Sequence, residues 1–163
     1  MGYALFAQRK LVLTGQINYV SLQQTQRSNE QYILATNTLS LQQQLTSLQT
    51  NQALQLSKYY KDLSNVGKDP ETGEAIEDFS DEDFTKQRDS INDIIKQKEN
   101  EFEAELDEIN RQIYMVGIKE KAVELQVKNL DTKLSALQKQ LEAVEEAEGS
   151  AIDRATPKFN GVG

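Results

Sequence analysis

From Phe102, alternate steps of four and three residues land on Leu106, Ile109, Ile113, Val116, Glu120, Val123, Val127, Leu130, Leu134, Leu137, Leu141 and Val144, and twelve of these thirteen positions are apolar. A spacing that averages 3.5 residues turns one stripe of an α-helix toward a neighbouring helix over many turns, and neither a strand nor an irregular loop has a use for it. The second half of the chain is therefore expected to be one long helix with a coiled-coil seam. Ser80 supplies an oxygen-bearing N-cap, and Asp81, Glu82 and Asp83 follow where the helix dipole favours carboxylates. Gly149, after the acidic run Glu145, Glu146 and Glu148, reads as the stop. The spacing predicts a helix over 81–148, on the order of 100 Å long at 1.5 Å per residue.

The first half carries the same stepping with polar interruptions: Leu13, Ile17, Val20, Gln24, Arg27, Gln31, Leu34, Thr38, Leu41, Leu45, Leu48, Gln52, Gln55 and Tyr59. No proline precedes Pro70, and Gly15 is the single internal glycine. Nothing in residues 1–64 breaks a helix, and this segment is assigned as the first long helix. Its polar residues are unusual, since the 27 positions from Gln31 through Ser57 include no charged side chain. A helix face bathed in water normally carries Lys and Glu, so this composition points to a helix covered by protein on more than one side.

Between the helices, residues 65–80 differ from both flanks. Asp69-Pro70-Glu71-Thr72-Gly73 fits a tight turn, with proline presetting φ and glycine supplying a positive φ at the end. Flanking pieces such as Glu74-Ala75-Ile76 suit a short loop or small β-hairpin at a tip. The segment is acidic, but its Asp/Glu spacing does not match a calcium-binding EF-hand loop. Residues 149–163, with Pro157 and two glycines after Gly149-Ser150, read as a flexible C-terminal tail. The fold class expected is all-α: a long antiparallel helical hairpin.

A turn centred near residue 73 would bring together residues whose numbers add to about 146, with each half facing the other along its seam. The polar residue of the second seam, Glu120, would then lie opposite Arg27. A carboxylate and a guanidinium facing each other among apolar neighbours add little net stability, yet either alone is costly, so Arg27 and Glu120 form the expected register pair.

Composition narrows function. The chain contains no Cys, no His and no Trp, which removes disulfides, thiolate metal sites and the side chains most often used as general base or activated nucleophile. No catalytic residue, metal site or cofactor is expected, and the protein is not read as an enzyme. The net charge of −8 opposes nucleic-acid binding. That charge is uneven: residues 1–64 carry five basic and two acidic side chains, and the remainder 13 basic and 24 acidic. No run approaches the ~18 apolar residues of a membrane-spanning helix. Arg9 and Lys10 sit in the middle of the opening apolar stretch rather than ahead of it, unlike a cleavable export signal. The location expected is extracellular after export without a cleaved signal, or cytoplasmic.

A lone two-helix hairpin buries one stripe of each helix, and the first helix holds further large apolar residues off its seam. Leu5, Phe6, Tyr19, Leu22, Tyr32, Ile33, Leu39, Leu54, Leu56 and Tyr60 form the expected assembly surface. The partner is then another copy, giving a homo-oligomer or filament, or else another helical protein clamped by the hairpin as by an adaptor or chaperone. Leu5, Phe6, Val12 and Leu13 with Arg9 and Lys10 are better suited to packing on the C-terminal part of the second helix, or on a neighbouring subunit, than to a membrane surface, because two basic residues attract lipid weakly.

With terminal helical segments that pair as a coiled coil, a first half with a long uncharged run rich in Gln, Asn, Ser and Thr, and an insert at the far end, the chain resembles the axial proteins of flagellar and type III secretion systems, such as flagellin-like and needle or rod subunits. The resemblance is one of architecture and composition. It implies export without a cleaved signal and polymerisation through the terminal helices.

Overall fold

The computed structural model describes residues 2–155 and contains two α-helices, α1 over Gly2–Ser64 and α2 over Asp81–Ala155, with no strand among the described residues. The all-α helical hairpin expected from the repeat is the fold observed. α2 does not stop at Gly149 but continues to Ala155. The seam explains why: the same stepping goes on through Glu148 and Ala151, both half-buried, and the Lys10 ammonium lies 2.5 Å from the Glu148 carboxylate. Packing of that last turn outweighs the ~1 kcal/mol that glycine costs a helix interior. Within the stretch assigned to the tail, residues 149–155 are thus helical, and the rest of it lies outside the described residues.

The chain divides into two compact units. In the first, residues up to Ala35 pair with residues from Ile118 onward, around Val20, Val123, Leu137 and Val144. Val20, at 1% exposure, is the most deeply buried side chain. The second unit, Thr36–Gly117, centres on Val66, Ile95 and Phe102, with Gln52 the one buried polar residue. Each core is a single stripe, so neither helix shields more than one face.

The register differs from the expected one. In the first unit the Gln24 amide donates to the Asp131 carboxylate and Lys10 pairs with Glu148, residue numbers that add to 155 and 158. In the second unit Gln52 reaches the Phe102 carbonyl and Tyr60 the Glu99 carboxylate, adding to 154 and 159. Both stand well above 146. The reason lies at the tip: the chain does not turn symmetrically about residue 73. In this register Ser64 is level with about residue 91, leaving the first ten or so residues of α2 beside the tip segment.

That tip is folded tightly. An antiparallel bridge joins Lys68 and Ala75, the Gly73 amide donates to the Asp69 carbonyl at 2.8 Å, and the Asp69 side chain accepts from the Glu71 amide. Gly67 and Gly73 both adopt φ near +74°, a conformation disfavoured for residues with a Cβ. At Gly67 a side chain is disfavoured twice over, since besides the positive φ a Cβ would sit 3.3 Å from both the Phe79 and Phe84 rings, closer than an ordinary contact. The Ser80 hydroxyl accepts from the Asp83 amide at 3.1 Å and caps α2.

Candidate assembly surface

The α2 seam faces inward throughout. Phe102, Val123, Leu137 and Val144 are buried, while Leu106, Ile109, Ile113, Val116, Glu120, Val127, Leu130, Leu134 and Leu141 are half-buried. On α1 the stepping from Leu13 to Gln52 coincides with inward positions except at Arg27, which is exposed. After Gln52 the inward residues are Leu56, Tyr59 and Leu63, and Gln55 is exposed. Two successive steps of four, Leu48 to Gln52 to Leu56, make a stutter that locally unwinds the supercoil. Gln52 occupies its centre.

Arg27 is not opposite Glu120. Its guanidinium lies 2.6 Å from the Glu30 carboxylate, one turn along its own helix. Given the register of the first unit, the residue level with Arg27 is near 128, and Glu120 is displaced by about 12 Å along the axis. A cross-helix charge pair of the first unit is Lys10 with Glu148, whose side chains are 35% and 19% exposed.

The N-terminal turns of α1 pack on the C-terminal part of α2. Leu5, Phe6, Arg9, Val12 and Leu13 line one side of a groove of about 720 Å³, and Gln140, Ala143, Val144 and Ala147 the other. Phe6 is half-buried here and Leu56 is half-buried in the shifted seam, so neither belongs to an outward surface. No helix of the described residues is long and apolar enough to cross a membrane.

The other eight residues of the expected surface are exposed: Leu5, Tyr19, Leu22, Tyr32 and Ile33 in the first unit, and Leu39, Leu54 and Tyr60 in the second. Leu11, at 74% exposure, and Val12 join them. In the first unit Leu5, Val12, Tyr19, Leu22 and Ile33 follow a second walk of four and three along the back of α1, with Leu11 and Tyr32 beside it. Leu5, Gln8, Val12, Gly15, Tyr19, Leu22, Gln26, Asn29 and Ile33 are all exposed and none is charged. The recurrence of Leu5, Val12 and Tyr19 every seven residues was the sequence signal for it. The four charges of α1 in this unit, Arg9, Lys10, Arg27 and Glu30, fall on or beside the seam instead. The back of the helix therefore offers apolar side chains and neutral amides and hydroxyls, with no fixed charge to desolvate.

The charged surface lies on α2. Glu108 accepts from Arg111 at 2.8 Å and from Gln112 at 2.9 Å, and the Arg111 hydrogen bond foremost, with Gln112 next, holds its carboxyl below the ordinary range. Tyr60 donates to Glu99 at 3.1 Å, and that bond, with the adjacent negative charge, raises the phenol above its ordinary value. These are ion pairs and hydrogen bonds of a solvated face, not an acid and a base converging on a cavity. Among the described residues no group of three or more Asp or Glu could hold a metal ion.

Comparison with protein-family models, curated proteins and solved structures finds no match for this chain.

Proposed function

We propose that the chain is a non-catalytic structural protein that self-assembles through its long helices into a homo-oligomer or filament, in the manner of a secreted filament subunit. The observation that carries this reading is the back of α1: large apolar side chains left in water along a walk from Leu5 to Ile33 that carries no charge. An exposed apolar stripe of this length is costly to leave uncovered and is the usual mark of a protein interface. The acidic α2 bears the surface suited to water. A stack of copies meeting along α1 keeps the strongly negative helices apart, whereas contact along α2 would press like charges together.

Sedimentation velocity over a range of protein concentration, with electron microscopy of the same samples, tests the proposal. Large particles that grow with concentration are expected, and removal of residues 1–15 should leave only small species. A protein that stays monomeric up to its solubility limit would overturn self-assembly and favour the alternative, an adaptor or chaperone-like hairpin that clamps another helical protein.

A further inference from the structure

Gly15 lies in the middle of the outward walk on α1, four residues from both Leu11 and Tyr19 and three from Val12. A Cβ added there would meet nothing within 4 Å, so nothing inside the hairpin demands glycine at this position. Its φ is not positive, so backbone conformation does not demand glycine either. Glycine nevertheless weakens a helix relative to alanine, because the unfolded chain has more freedom to lose. Gly15 borders an open notch of about 510 Å³, whose rim is completed by Val12, Gln16, Tyr19 and Val20 of α1 and by Leu137 and the charged Lys133 of α2.

We infer that Gly15 is the crossing point of a contact between two copies of α1, where the backbones approach closely and an apolar side chain of the second copy enters the notch. The inference rests on the self-assembly reading above and specifies its contact. Two observations identify a second copy as the occupant. First, the back of α1 is self-compatible: from Leu5 to Ile33 its outward walk has no charge of either sign, so two identical faces meet without repulsion. Secondly, the area suffices. Leu5, Leu11, Val12, Tyr19, Leu22, Tyr32 and Ile33, each more than half exposed, together present on the order of 900 Å² per copy, so a contact covering nearly all of it reaches the ~800 Å² per partner of a standard stable interface. A small residue at the closest approach lets the large side chains on either side reach across.

The test uses Gly15→Ala and Gly15→Leu in the full chain, with circular dichroism for folding and sedimentation for association. Both substitutions should raise the melting temperature of dilute, unassociated protein. Both should weaken association, Gly15→Ala about tenfold and Gly15→Leu to the point of loss. This opposition of sign separates a crossing point from a helix defect. If both variants associate as strongly as the parent, the Gly15 crossing is wrong while self-assembly through another part of the face stands. If the parent does not associate at any concentration, the self-assembly reading fails first and the crossing fails with it.

Discussion

The side-chain amide of Gln52 donates to the main-chain carbonyl of Phe102 across the helix pair, at 3.2 Å, from a position only 8% exposed. That carbonyl already belongs to the α2 hydrogen-bond ladder, so the bond adds to a satisfied acceptor instead of rescuing an orphan.

Gln52→Leu should therefore leave no buried group without a partner, and the melting temperature should hold or rise, by the equivalent of about 1 kcal/mol. What should be lost is fixity of register, because a leucine in the stutter accepts either neighbouring alignment. Spin labels at the exposed positions Asn51 and Glu103 should give a broader distance distribution in the variant. An equally narrow one would show that Gln52 does not set the alignment.

Adjacent residues on α1 should respond in opposite ways. Val20→Ala removes the most buried side chain and should destabilise the hairpin by about 2 kcal/mol in thermal or denaturant unfolding. Tyr19→Ala, at a position 59% exposed, should leave unfolding of dilute protein within about 0.5 kcal/mol of the parent and reduce self-association. Equal losses of stability in the two variants would contradict the assignment of inner and outer faces.

Charge exchange distinguishes the observed register from the one centred on residue 73. Lys10→Glu and Glu148→Lys should each lower the melting temperature, and the double exchange should recover much of the loss, corresponding to about 1 kcal/mol of pairing. Exchanging Arg27 and Glu120 together should recover nothing, since those residues are not level with each other. Recovery in the second pair and not the first would restore the earlier alignment.

Titration should follow the local hydrogen bonds. Glu108 has its carboxyl held down, chiefly by the Arg111 bond, so its stabilising contribution is present above the unfolded carboxylate range and fades as pH falls through the depressed value. Tyr60 is raised by Glu99, so its contribution is complete below the ordinary phenol range and fades as pH rises through the elevated value. In NMR titrations, Arg111→Gln should move the Glu108 midpoint upward and Glu99→Gln should move that of Tyr60 downward. Unmoved midpoints would mean that these bonds do not persist in solution.

The two helices were legible because periodicity is a property of the chain itself: thirteen positions from Phe102 to Val144 step together, and capping residues at Ser80 to Asp83 mark the start. The turn was equally local, set by Asp69, Pro70 and Gly73. Register was not legible, because it depends on how the tip stacks on the first turns of α2. The approach of Phe79 and Phe84 to Gly67, which forms part of that stacking, joins residues whose spacing carries no periodic signal. The end of α2 was misplaced for a related reason: Gly149 looks like a terminator until Lys10, well over a hundred positions away, is known to grip Glu148. On the outward face, Phe6 and Leu56 could not be told from their exposed neighbours without knowing where the groove and the stutter fall.

The turn at Gly73 has a practical use. A Cβ there would touch nothing within 4 Å, and the surrounding residues Glu71 to Ile76 are all exposed. A guest peptide spliced between Thr72 and Gly73 would interrupt the Gly73–Asp69 hydrogen bond but would be held at its base by the Lys68–Ala75 bridge and the Asp69–Glu74 bond, outside both seams. Each copy would then display its cargo at the tip, and copies that associate as proposed above would make the display multivalent.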